Sequence, residues 1–258
     1  MAVPSPVVMT TRDGVRIVAD HWPAADRHIG CVVAHGFTGW ARNREIERIV
    51  RGLADERYGV LALDLRGHGR SGGLGTAGAE EIHDVAAGVT WLRGAGYERV
   101  AVLGWSMGGS AVLRHAGLGG DADAVVSVSA PGLWFERGTR SMRFAHWMFE
   151  KRTGRTVTRL WRRTRVAAGG WPVVPESPAE VAPAIGPTPL LVVHGDADRY
   201  FPRRHVDALA AAAPDAAVWI EPGMGHAELA TSDDLVHRIG AWLGDALAAP
   251  VCHHGSRD

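Results

Sequence analysis

The sequence holds a single lysine, Lys151, and two cysteines, Cys31 and Cys252, and its 28 basic side chains are balanced by 28 acidic ones. Two cysteines in 258 residues match neither a disulfide framework nor a metal-ligand spacing, so they are expected to be a buried thiol and a tail thiol. A formal net charge of zero removes any global attraction to nucleic acid or to an anionic membrane, and an electrostatic role must be local. Scarce lysine beside abundant arginine, alanine and glycine reads as compositional bias without functional content. No apolar run approaches the length that crosses a bilayer, and the opening Met1-Ala2-Val3-Pro4-Ser5 lacks the basic start of a signal peptide; a cytoplasmic protein without an integral membrane segment is expected.

What is present is an alternation of apolar runs with helical patterns. Val7–Thr10 and Val15–Trp22 flank the turn dipeptide Asp13-Gly14, which predicts an antiparallel hairpin at a sheet edge. The runs Ile29–Ala34, Val60–Leu65, Val100–Leu103, Ala124–Val128, Leu190–Val193 and Val218–Ile220 are of the type buried on both faces of a parallel sheet. Between them, Asn43–Glu56, Ala79–Arg93, Met107–Leu118, Pro202–Ala213 and Asp233–Leu247 carry helical patterns. The expected fold class is therefore α/β, a mostly parallel eight-stranded sheet with helices on both faces. From Pro131 to Pro187 no strand-like run occurs, which suggests a helical cap, residues 131–187, inserted into a core of 1–130 and 188–258. That insertion holds four tryptophans (Trp134, Trp147, Trp161, Trp171) and ten basic residues against four acidic ones. A positive cap on a negative body follows.

The chemistry concentrates in Gly104-Trp105-Ser106-Met107-Gly108-Gly109, a G-x-S-x-G pattern between a strand and a helix. In that context the turn is too tight for side chains at the glycines, and it lifts the Ser106 hydroxyl above the sheet at a helix N-terminus. A serine hydroxyl attacks only when a neighbouring base takes its proton, so a histidine and an orienting acid are required downstream. His226 lies in a glycine-flanked loop after the last apolar run. Asp196 and Asp198, in His194-Gly195-Asp196-Ala197-Asp198, could each meet it. Asp198 is preferred, because Asp196 directly behind the strand is better placed to bond turn amides. For an oxyanion the amides of Phe37, in His35-Gly36-Phe37-Thr38-Gly39, and of Met107 are expected to serve, with His35 bonding loop backbone. Asp64-Leu65-Arg66-Gly67-His68-Gly69-Arg70-Ser71 makes neither a metal site nor a phosphate loop, and a loop brace involving Asp64, Arg66 and His68 is expected.

These segments, with His194-Gly195-Asp196-Ala197-Asp198-Arg199-Tyr200-Phe201-Pro202 and Gly223-Met224-Gly225-His226, resemble the α/β-hydrolase family, in its serine esterase and monoacylglycerol-lipase-like branch, over nearly the whole chain. The resemblance implies the second aspartate, Asp198, as the acid and the segment after the sixth strand as the cap. Its arginine and tryptophan content, and Trp105 beside the serine, depart from the lipase-like pattern. The expected activity is cleavage of a small-molecule carboxylic ester through an acyl-enzyme, with no cofactor, metal or nucleic acid. A thioesterase acting on acyl-CoA or carrier-bound acyl groups is the alternative, and a non-catalytic binding protein is a third reading. For the cap, a solvated arginine face over a tryptophan-lined pocket is set ahead of peripheral contact with a membrane.

Overall fold

The computed structural model describes residues 3–248. Cys252, expected as a tail thiol, lies outside them. Eight strands form one sheet in the order β1-β2-β4-β3-β5-β6-β7-β8. They are β1 (Ser5–Thr10), β2 (Arg16–Trp22), β3 (Ile29–Ala34), β4 (Gly59–Asp64), β5 (Arg99–Trp105), β6 (Ala124–Val128), β7 (Leu190–Gly195) and β8 (Ala217–Glu221). The β1–β2 hairpin pairs antiparallel, β2 joins β4 antiparallel, and every later pairing is parallel.

The helices are α1 (Arg44–Asp55), α2 (Ile82–Gly94), α3 (Met107–Gly117), α4 (Arg140–Glu150), α5 (Arg152–Arg162), α6 (Pro178–Val181), α7 (Arg204–Ala212), α8 (Ala227–Ala230) and α9 (Asp233–Ala248). Helices α2, α3 and α7 cover one face, packing Val85, Val89, Leu113 and Leu209 on Val32, Val102 and Val192. On the other, α1 and α9 set Ile49, Leu53, Ile239 and Leu243 against Cys31, Val33 and Leu103. Residues 31 to 33 thus feed alternate faces, which is why a strand buried on both sides reads as one unbroken apolar run. Cys31 is fully buried, and that burial pushes its thiol up to about 12, so it is inert at neutral pH.

Between β6 and β7 the chain leaves the sheet for α4, α5 and α6 followed by a 3-10 turn, Ala182–Ile185. The first part lies over the sheet's carboxyl edge: Phe149 of α4 stacks on Phe37 at 4.0 Å between ring centroids. Thr164 and Val166 form isolated bridges with His68 and Gly75. The last part returns to the core, where the backbone of Val181 comes so close to α3 that a Cβ on Gly117 would sit 2.4 Å from its carbonyl oxygen. The buried carboxylate of Glu136 pins the entry of the excursion. It takes the Nε2 hydrogen of His205 at 3.0 Å and pairs with Arg204, while the amides of Gly132 and Leu133 donate to His205 Nδ1.

Candidate active site

The strand β5 runs directly into α3 with Ser106 at the joint, and only glycine fits around it. A Cβ on Gly104 would lie 2.2 Å from the Gly108 carbonyl oxygen, and one on Gly108 would lie 2.2 Å from that of Ala34. Ser106 takes φ 51° and ψ −117°, a conformation L-residues rarely hold, which costs about 1–3 kcal/mol and persists because its surroundings impose it. Its own amide is tied to Val128 of β6 at 2.9 Å. The side chain is thereby held up at the N-terminus of α3, where the helix dipole favours developing negative charge.

The loops after β7 and β8 bring the acid and the histidine to it. His226 Nε2 lies 2.9 Å from Ser106 Oγ, and Nδ1 lies 2.8 Å from Asp198 Oδ2. The other oxygen, Asp198 Oδ1, accepts the amides of Tyr200 at 2.7 Å and Phe201 at 3.1 Å. Burial raises the cost of charging Asp198, but the hydrogen bond and charge of His226, with those two amides, outweigh it and hold the carboxyl below its ordinary value. An ionised Asp198 puts the hydrogen on His226 Nδ1 and leaves the Nε2 lone pair facing the serine hydroxyl. Tyr200 stacks on the imidazole at 4.2 Å and Phe201 meets it edge-on at 5.5 Å, so the ring is held from its faces as well. Asp196 instead accepts the Gly223 amide at 2.6 Å, the turn-bracing bond expected of it.

Phe37 and Met107 line the same cavity as Ser106 and His226. Among the described residues neither backbone amide donates to a protein acceptor. His35 bonds loop backbone as expected: Nδ1 meets the Gly36 carbonyl at 2.7 Å, and Nε2 accepts the Leu65 amide at 3.1 Å. Burial holds it neutral, with a pKa pushed down to about 3. The cavity, about 630 Å³, is roofed by Met142, Met148, Phe149, Trp134 and Trp171 from the excursion.

Three expectations need correction or completion. The tryptophan-lined pocket is completed by naming its members: Trp134 and Trp171 reach the cavity, while Trp147 does not and Trp161 stands out in solvent, 83% exposed. Trp105, though adjacent to the serine, points away from it into the opposite core, with Nε1 donating to Thr231 Oγ1 at 3.0 Å, because successive strand residues face opposite sides. Asp64, Arg66 and His68 do brace loops but scarcely each other. Asp64 accepts the Ala41 and Arg70 amides and the Arg70 guanidinium, whereas Arg66 spans Asp84 and Asp13. Only His68 Nδ1, 2.8 Å from the Arg66 carbonyl, links two of the three.

Sequence reasoning missed Glu228. Its Oε1 accepts the Gly36 amide, placing a carboxyl beside the Phe37 loop, and burial pushes its pKa up. Its spacing of two from His226 is the one available clue, and it becomes informative only once both loops meet. Asp13, Glu80 and His83 bring ligand atoms within 4.8 Å of one another, but Asp13 is already engaged by Arg66 and Thr11.

A family model described as the alpha/beta hydrolase family matches residues 31–238. No curated protein is significantly similar in sequence. Among solved structures the chain is similar to the esterase Pf2001 of Pyrococcus furiosus, at 24% identity and TM-score 0.73 over 96% of this chain and 92% of that one. The alpha/beta hydrolase GrgF of Penicillium sp. sh18 superposes with TM-score 0.78 at 18% identity, over 96% and 100% of the two chains. Est1E of Butyrivibrio proteoclasticus, solved with ferulic acid, gives TM-score 0.65 at 19% identity over 94% and 100%. With the match spanning both halves of the sheet and every loop of the candidate site, the chain belongs to the alpha/beta hydrolase family.

Proposed function

We propose that the protein is a serine hydrolase that cleaves carboxylic esters through an acyl-enzyme. The observation that carries this is the unbroken chain Ser106 Oγ, His226 Nε2, His226 Nδ1, Asp198 Oδ2, at 2.9 and 2.8 Å. Ser106 Oγ attacks the ester carbonyl carbon while its proton passes to His226 Nε2. Asp198 stabilises the imidazolium, and the amides of Phe37 and Met107 hold the oxyanion. Collapse of the tetrahedral intermediate breaks the bond to the alcohol oxygen, which takes the proton from His226. Water, deprotonated by His226, then hydrolyses the acyl-enzyme. Residues 131–187 act as the cap, their apolar side chains binding the acyl portion by burial. The solved relatives described as esterases support the ester class.

A thioester substrate uses the same steps, and Arg162, which lines the cavity, favours it to the extent that the leaving group is anionic. A non-catalytic binding role leaves the aligned hydrogen-bond chain without a purpose. Rates on p-nitrophenyl esters of rising chain length, measured beside acyl-CoA substrates, separate ester from thioester. A fluorophosphonate probe should label the wild type at Ser106 and leave Ser106→Ala unlabelled; labelling that survives the substitution refutes the assignment.

A further inference from the structure

Helix α5 turns its apolar side chains outward. Its buried residues are Gly154 and Thr158, one turn apart, and Gly154 sits against α4 so closely that a Cβ on it would lie 2.1 Å from the Trp147 carbonyl oxygen. Val157, Leu160 and Trp161, at the i, i+3, i+4 spacing of one helix face, are 39%, 71% and 83% exposed. Arg152, Arg155, Arg159 and Arg162 follow the same periodicity on the opposite flank. An ordinary surface helix buries its apolar stripe and exposes its charges. Here close packing of glycine and threonine anchors the helix, and the stripe has no partner among the described residues.

The charge around it is of one sign. Seven basic residues and no acidic one lie between positions 151 and 175. The nearest acid in sequence, Glu150, is already occupied by Arg137 and His146. Arg152, Arg159, Arg162 and Arg163 make no ion pair among the described residues. Large apolar side chains including tryptophan on one side and unpaired arginines on the other match a helix lying in the plane of a bilayer surface, with the apolar face among the acyl chains and the cations at anionic headgroups. No helix among the described residues is long and apolar enough to cross a membrane, so such contact is peripheral.

We propose that α5 docks the protein on an anionic lipid surface through Leu160 and Trp161, with Arg152 and Arg159 at the headgroups. Arg162 belongs both to this helix and to the cavity wall, and the cavity's edge carries the exposed side chains Val173 and Leu229. The docked helix therefore lies beside the opening through which an ester enters. The docking itself does not depend on the hydrolase reading.

The test is flotation of the full-length protein with vesicles of phosphatidylglycerol mixed with phosphatidylcholine, against phosphatidylcholine alone. Wild type should float with the mixed vesicles, less as salt rises, and remain behind with the neutral ones. Arg152→Gln with Arg159→Gln should weaken binding roughly thirtyfold, at about fivefold per arginine. Leu160→Ser with Trp161→Ser should weaken it about tenfold or more. Both double variants should keep the wild-type urea midpoint, since the replaced side chains are exposed. Failure of folded wild type to float with anionic vesicles overturns the proposal, as does undiminished flotation of the Leu160/Trp161 variant. Binding to heparin that needs the arginines and ignores Leu160 and Trp161, without flotation, would make the surface a polyanion site instead. Because flotation needs no turnover, a failed docking and a failed hydrolase assignment remain distinguishable.

Discussion

Replacing Asp198 by asparagine tests the candidate triad most sharply, because the structure dictates which way the new amide must face. Asp198 Oδ1 accepts two backbone amides, from Tyr200 and Phe201, while Oδ2 accepts His226 Nδ1–H. An asparagine that keeps its oxygen on the two amides must point its NH2 group at the imidazole. Two donors then face each other unless the histidine changes tautomer, so Nδ1 becomes the acceptor and the hydrogen moves to Nε2. There it faces Ser106 Oγ, and the base can no longer take the serine proton. The flipped asparagine would restore the tautomer, but it forfeits two hydrogen bonds at about 1 kcal/mol each. That is roughly thirtyfold in population, so no more than a few per cent of molecules escape the block. The expected kcat for Asp198→Asn on a p-nitrophenyl ester thus lies below a few per cent of wild type, approaching the ~10⁴-fold loss typical of a wrong tautomer. Asp196→Asn is the control: its Oδ1 accepts one amide, which an asparagine oxygen also accepts, so kcat should stay within about twofold and stability within about 1 kcal/mol. Steady-state kinetics with matched circular dichroism spectra decide. More than a tenth of the kcat surviving in Asp198→Asn, or an equal loss in Asp196→Asn, refutes the reasoning.

Gly108→Ala would drive a methyl group to 2.2 Å from the Ala34 carbonyl oxygen and should cost about 3 kcal/mol or more, whereas Gly94→Ala meets nothing within 4 Å and should be neutral or stabilising by up to ~1 kcal/mol; urea midpoints compare the two. His115 is pushed down to about 4 by burial. A lowered histidine pKa contributes stability above the unfolded value near 6.5 that is lost as pH falls towards the folded value. The stability gap between wild type and the non-titrating His115→Gln should therefore shrink by about 2 kcal/mol from pH 7 to pH 5, and a gap independent of pH would contradict it. Arg66→Met leaves Asp84, with its fully buried side chain, facing no cation and should cost about 3–5 kcal/mol in urea unfolding at neutral pH.

The fold was legible wherever one local signal sufficed. Each of the six parallel strands falls on an apolar run named from the sequence, because burial on both faces admits little else, and Asp13-Gly14 marks the hairpin turn. Of the three residues read from their loops, His226 lies within hydrogen-bonding reach of both Ser106 and Asp198. What stayed hidden depends on which surfaces meet. Glu228 at the Gly36 amide, the division of Asp64 and Arg66 between separate partners, and the outward turn of Trp161 are set by elements distant in sequence. The mean composition of 131–187 shows that arginine and tryptophan are plentiful there but not which way they point. Helix α5 exposes its apolar face as well as its arginines, so periodicity finds the two faces and places the arginines in solvent rightly but the apolar residues wrongly.

The imidazole follows β8, which is the last strand of the sheet and half-exposed along its whole length, while the serine follows β5 near the buried centre. Their contact spans 120 positions of sequence. One margin of the sheet thus carries one half of a contact whose other half rests on a strand buried near its centre. Edge elements open at lower free energy than the whole domain, so fraying of that margin would separate the two groups while the other seven strands stayed paired. With Ser106 and His226 in the roles proposed for them, hydrolytic activity is expected to be a more sensitive thermometer of this molecule than its secondary structure, failing on warming before the helices melt and returning on cooling once that strand is reseated.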